Sequence, residues 1–179
     1  MELREVYALF KELECGEIYV VNRDAQEVAD LLEDAKAYAS SSASRQPKLT
    51  HITSVSQAEA LPAPFYIVGT VPDFEAKTEE EIKARDMLEV FLRKSEKGVL
   101  LDMCFKPRNT RILKAGRRNG WRVVDGTGVI GHQIEEQWRL WAGAGAGAGA
   151  GEEGRKDVPK EEAWEILKKA AEESTAINF

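Results

Sequence analysis

The sequence predicts an α/β domain built on a mainly parallel sheet, and three features carry that prediction. Short, largely apolar runs rich in β-formers recur along the chain: Ile18-Tyr19-Val20-Val21, Phe65-Tyr66-Ile67-Val68, Val99-Leu100-Leu101 and Trp121-Arg122-Val123-Val124. Runs of this kind suit strands covered on both faces, as parallel strands are. Between them lie segments whose apolar residues recur at helical spacing, and the resulting alternation of strand and helix is the signature of βα units rather than hairpins. The length of 179 residues, with 43% hydrophobic and 31% charged, suffices for one domain of ordinary size with a buried core.

The elements follow in order. Leu3, Val6, Leu9, Phe10 and Leu13 predict a helix over 2–14, with Gly16 as its stop. Residues 18–21 form the first strand, closed by Asn22-Arg23, and Asp24 is a good N-cap for a helix carrying Val28, Leu31, Leu32 and Ala35. Ser40, Ser41, Ser42 and Ser44 mark 39–48 as a loop. Residues 51–55 read as a weak strand and 65–69 as a stronger one that ends at Thr70-Val71-Pro72. Thr78 and Glu81 have the spacing of a capping box, and the helix they open runs to about Leu92. A strand over 98–103, a helix over 110–119 stopped by Gly120, a strand over 121–124 and a helix over 127–140 complete five strands. The strict Ala-Gly alternation of 142–151 cannot pack a core and predicts a flexible linker, taken as 142–154. The piece beyond it, 155–179, holds an amphipathic helix over 159–173, with Trp164, Ile166, Leu167 and Ala170 as its apolar side.

Some classes are disfavoured at once. A net charge of -6 argues weakly against nucleic acid. No apolar run approaches the roughly 20 residues needed to span a bilayer, and no basic-then-apolar leader opens the chain. Cys15 and Cys104 are distant in sequence, which suggests free thiols in a reducing cytoplasm, and two Cys and two His at unrelated spacings suggest no metal site. Ligands of parallel α/β sheets bind beyond the carboxyl ends of the strands. The informative residues are therefore Asn22-Arg23, the Gly69 to Pro72 turn, Asp102 to Pro107 and Asp125-Gly126.

Three segments together resemble the shikimate dehydrogenase family. They are Ile18 to Arg23, Leu100 to Pro107 followed by Thr110, and Gly120 to Gln133 ending in Leu140-Trp141-Ala142-Gly143. Val68 to Phe74 is similar to the branch of the fungal arom polypeptide and the quinate repressor. The resemblance covers roughly 5–143 and implies a Rossmann-like three-layer αβα fold with NADP as cofactor. It implies that Asn22 and Arg23 meet the adenosine ribose and its 2′-phosphate, where a guanidinium can pair two oxygens. It also implies that Gly69, Thr70 and Val71 approach the nicotinamide ribose, that Gly126 and Gly128 line the nicotinamide pocket, and that Gln133 and position 105 face the substrate. The residues alone leave each of these open: Arg23 reads equally as a surface residue before a capped helix, Gln133 as plain surface. His132 has no matching role, and Asp102 reads as a cap for its strand end rather than a general base.

Three departures shape the functional expectation. The chain begins within the first helix, so the preceding strand and the glycine-rich turn that would hold a pyrophosphate are expected to be missing. That strand is central in the usual order, and its loss leaves two inner edges unpaired or closes them up. The substrate domain that supplies the family's catalytic Lys and Asp is missing too, and Phe105 stands where a Tyr is usual. The family reaction is the NADP-dependent interconversion of 3-dehydroshikimate and shikimate, in aromatic amino-acid biosynthesis. The 179 residues are expected to be inactive by themselves, as part of a larger dehydrogenase with shikimate or quinate as ligand and other modules of a multidomain polypeptide as neighbours. The alternative is a non-catalytic, quinate repressor-like regulator, cytoplasmic or nuclear, that binds a pathway metabolite and an activator protein. A third reading is a ligand-free interaction domain.

Overall fold

The computed structural model describes residues 12–41, 47–104, 107–143 and 160–173. Among the described residues, five strands form two parallel ladders rather than one sheet. β1 (Glu17–Val20) pairs with β2 (Lys48–His51). β3 (Tyr66–Gly69), β4 (Val99–Asp102) and β5 (Arg122–Val124) pair in that order. Among the described residues no ladder joins β1 to β3. The two strands nevertheless share side-chain clusters, because Val68 packs against Ile18 and Val20, while Ile67, Tyr19 and Val21 pack around Ile52 and Phe91.

The alternation of side chains builds the layers. Ile18 and Val20 face one side, where α1 (Ala25–Ser41) buries Val28 and Leu31. Tyr19 and Val21 face the other, toward α2 (Val55–Ala60) and α3 (Glu79–Arg93), which bury Ala58, Met87 and Phe91. On that second side Leu100 packs with Leu92, Trp121 and Leu113 of α4 (Arg111–Arg118). Helices on both faces of parallel strands make the expected three-layer α/β arrangement. Burying each of these large side chains contributes about 1.5–3 kcal/mol. α5 (Gly126–Gly143) and α6 (Lys160–Glu173) complete the described chain.

Several helix starts match their sequence signals. Thr78 Oγ1 accepts from Glu81 N while the Glu81 carboxylate accepts from Thr78 N, a complete capping box. Asp24 Oδ1 accepts from the backbone of Gln26 and Glu27 at the start of α1. Gly120 takes φ 80 after α4, a conformation that costs glycine nothing.

Other expectations need correction. The strand expected at 51–55 lies at Lys48–His51 instead. Ser54 caps the unexpected α2, its Oγ accepting from Gln57 N at 3.2 Å, and Thr53 N donates to Gln57 Oε1. These local bonds start a helix where β-propensity had suggested a strand. Helix α1 continues through Ser41, three residues into the expected loop. Gly16 is not the stop of the first helix, since Glu14 takes the left-handed turn at φ 54. Ala142 and Gly143, expected in the linker, belong to α5. In the tail helix Ile166 is 61% exposed, and the packed side is carried by Trp164. Most of the helix expected at 2–14, Phe105, and the linker beyond 143 lie outside the described residues.

Candidate functional site

Within each sheet the strands are parallel, so Val20 and His51 finish together, as do Gly69, Asp102 and Val124, and the Arg23–Glu81 pair links the turn after β1 to the start of the helix that follows β3. The turns that leave those strands carry nearly every residue singled out in the sequence. An apolar cleft of about 220 Å³ runs along the sheet beside Leu13, Tyr66, Val68 and Leu101 instead. Its lining among the described residues is mainly aliphatic, and the polar residues singled out in the sequence lie at the strand ends.

At the end of β1, Asn22 Nδ2 donates to Glu27 Oε2 at 2.8 Å, and Asn22 Oδ1 accepts from Asp24 N at 2.9 Å. Asn22 thus braces the turn into α1. Arg23 reaches across to α3 and pairs through Nη1 with Glu81 Oε1. The guanidinium remains 65% exposed, whereas the Glu81 side chain is 23% exposed. The Lys77 and Thr78 backbone N–H groups, helped by Arg23, hold the Glu81 carboxyl below the usual carboxylate range.

At the end of β3, Gly69 is buried opposite Asp102 in register. A Cβ on Gly69 would lie 3.1 Å from Asp102 Oδ1, so the small residue keeps room for that carboxylate. Asp102 is 1% exposed. It accepts from Thr110 Oγ1 and, at 3.1 Å, from Cys104 N. Burial pushes its carboxyl above the ordinary value, and Asp73 adds to the rise, while the Thr110 and Cys104 donors oppose it. The side chain ties β4 to α4, which is the strand-end capping role its position suggested. Thr70 is half-buried and Val71 is 68% exposed. Asp73 then fastens this turn to α4, accepting from Arg111 N at 2.9 Å and pairing with Arg111 Nη1 at 3.2 Å.

At the end of β5, Asp125 Oδ1 accepts from Thr127 N at 3.0 Å and caps α5. Gly126 lies against the backbone, where an added Cβ would sit 2.4 Å from Met103 O. Its missing side chain is accounted for by strand–helix packing. Gly128 has open space around its Cα, and the buried Thr127 hydroxyl finds no hydrogen-bond partner among the described residues. Gln133 lies exposed two turns along α5. His132, its neighbour, stacks edge-on against Trp164 at 5.4 Å and so serves the docking of α6.

The structure therefore sets Asn22, Arg23, Gly69, Thr70, Val71, Gly126 and Gly128 just beyond the carboxyl ends of its parallel strands. Two participants escaped the sequence reading. Glu81 was visible only as a capping residue, although a capping box engages just one carboxylate oxygen. Asp73 meets Arg111 across 38 positions, a separation no local pattern reveals. Among the described residues no helix is long and apolar enough to cross a membrane.

No family model matches the chain. It is 38% identical over 143 residues to a quinate dehydrogenase of Emericella nidulans, covering 77% of this chain and 43% of that protein. It is 28% identical over 142 residues to the pentafunctional AROM polypeptide of Kluyveromyces lactis, covering 78% of this chain and 8% of that one. Among solved structures it is similar to the dehydroquinate dehydratase and shikimate dehydrogenase from S. pombe AroM, with a TM-score of 0.63 and 17% identity over 92% of this chain and 28% of that one. It is also similar to Mycobacterium tuberculosis shikimate dehydrogenase, with a TM-score of 0.57 and 20% identity over 90% of this chain and 49% of that one. The chain thus spans less than half the length of each of these relatives.

Proposed function

We propose that the chain, similar to a quinate dehydrogenase and to AROM polypeptides of fungi, is of the shikimate dehydrogenase family and forms the cofactor-binding side of an NADP-dependent shikimate or quinate dehydrogenase. The observation that supports this most is Arg23: an outward guanidinium at the end of a parallel strand, on the edge where such sheets bind ligands. The residues present fit the cofactor. Arg23 and Asn22 would hold the phosphorylated ribose of the adenosine. Gly69, Thr70 and Val71 would run beside the second ribose, and the open Gly128 and unmatched Thr127 hydroxyl would lie at the nicotinamide end. NADP, when bound, supplies or accepts the hydride of the family reaction.

Gln133 is proposed to meet the hydroxyl or carboxylate of a shikimate- or quinate-type ligand. Asp102 is not proposed as a proton carrier, because both its oxygens already accept bonds beneath the edge. The resemblance assigns the acid–base pair to a separate substrate domain, so the 179 residues by themselves are proposed to be silent. Steady oxidation of shikimate or quinate with NADP by the purified chain would overturn that. The cofactor reading is tested by titrating the chain with NADPH and following nucleotide fluorescence. Saturable binding is expected, weakened roughly 10- to 100-fold in Arg23→Ala, the loss typical of a charged hydrogen-bonding partner. Equal binding by both proteins would remove Arg23 from the site. The regulator reading draws on a different feature, the exposed Val71 and Phe74 beside the edge, which offer apolar contact to a partner.

A further inference from the structure

Glu81 is bound in two directions at once. Its Oε2 accepts from Lys77 N at 2.9 Å and from Thr78 N at 3.2 Å, and its own N–H donates to Thr78 Oγ1 at 3.2 Å. The other oxygen, Oε1, holds Arg23. The capping bonds fix this carboxylate at the start of α3, so it cannot swing away when something else approaches the guanidinium. Arg23 is the looser and more exposed partner. A guanidinium has five N–H donors, and the others remain for a ligand.

We propose that Glu81 is a specificity-determining residue of the adenosine end of the site: its anchored carboxylate competes with the 2′-phosphate for Arg23 and thereby sets how sharply the chain separates NADP from NAD. The proposal rests on the reading of Arg23 as the phosphate ligand. A dianionic phosphate that engages the free donors of Arg23 must lie within a few ångströms of a carboxylate that stays ionised. Depression of the Glu81 carboxyl below its usual range keeps that charge in place at neutral pH. Glu79 and Glu80 stand exposed in the same first turn and add to the negative field. An unphosphorylated ribose meets no such repulsion, and its hydroxyl can donate to the same carboxylate. Pre-orientation of Arg23 by Glu81 acts the other way, but exposed ion pairs of this kind contribute little. Repulsion of a divalent anion is therefore the larger effect.

The experiment is calorimetric titration of the full chain with adenosine 2′,5′-bisphosphate and with 5′-AMP, in the wild type, Glu81→Gln and Arg23→Ala. Glutamine keeps an acceptor for the Lys77 and Thr78 N–H groups, so the helix start is retained, and a thermal melt verifies this. Glu81→Gln is expected to bind the bisphosphate about 5- to 10-fold more tightly, with 5′-AMP within about twofold of wild type and the gain shrinking as salt rises. Unchanged or weaker bisphosphate binding in Glu81→Gln, with Arg23→Ala still impaired, overturns the proposal and leaves the cofactor reading intact. An equal gain for both nucleotides also overturns it. If Arg23→Ala binds the bisphosphate as wild type does, or no protein binds it, the reading of Arg23 falls and the proposal with it.

Discussion

The two ladders of this chain are built from the same βα unit, yet they are held together differently. The β3-β4-β5 half encloses Leu92, Leu100 and Leu113 completely and closes over Trp121, whose indole N–H donates to Leu92 O at 3.0 Å. Its buried carboxylate is paired too, Asp102 accepting from Thr110 Oγ1 and Cys104 N. The β1-β2 half has two strands, and its cross-strand polar links lie outside, where Glu17 binds Lys48 and Thr50. It joins the larger half through packing, with the Tyr19 ring stacked on Phe91 at 5.6 Å. The Asp102 carboxylate at the end of β4 is buried because the N-cap of α4 and the backbone just after the strand both donate to it. Arg23, at the end of β1, is exposed, and the carboxylate it pairs with belongs to the larger half.

The largest effect that would sharpen this contrast is expected for Leu100→Ala. It should cost about 2–5 kcal/mol in urea denaturation, because the fully enclosed cavity cannot collapse. A loss below about 1 kcal/mol would show that β4 is not the centre of the stable half. Tyr19→Ala comes next, at about 1–3 kcal/mol. Here the informative readout is cooperativity: separate transitions by far-UV circular dichroism and Trp121 fluorescence are expected once the aromatic bridge is gone. A single coincident transition would mean that other contacts couple the halves.

The pH dependence separates two carboxylates of the larger half by sign. Glu81 has a folded value below its unfolded one, so its contribution is present above the unfolded value and lost as pH falls through the folded one. Asp102 is raised, so its contribution is present below the unfolded carboxylate value and lost as pH rises through the folded one. In acid titrations of stability, Asp102→Asn should therefore improve relative to wild type as pH rises from about 3.8 through the carboxylate range. Glu81→Gln should flatten the loss seen on acidification. Identical pH profiles for both variants would contradict the two environments.

The smallest effect concerns the tail. Trp164 lies over Gly131, where an added Cβ would fall 2.2 Å from the ring. Gly131→Ala should release α6 from α5, shifting Trp164 fluorescence toward the solvent-exposed value while leaving the urea midpoint of the main unit nearly unchanged. A large midpoint shift would make the tail part of the core.

Much of this was legible beforehand, for local reasons. The capping box at Thr78, the stop at Gly120 and the β-rich runs at β1, β3, β4 and β5 each depend on residues a few positions apart. Where the local signals were weak, the reading slipped. Lys48-Leu49-Thr50 carries little apolar signal, and Ile52, which suggested a strand, is instead a fully buried residue ahead of a short capped helix.

Sequence by itself determined the α/β class, most of the strands, the resemblance to a dehydrogenase family, and the strand-end turns on which the candidate residues lie. These follow from periodicity, capping and motif spacing, which are properties of neighbouring residues. Only the tertiary structure decided that the sheet divides between β1 and β3, that Asp102 is enclosed beneath Gly69, and that Arg23 is held by Glu81 across 58 positions. Those outcomes depend on which surfaces meet once the strands are stacked in parallel. A guanidinium and a carboxylate on separate turns reveal their pairing only when the fold brings them to the same edge.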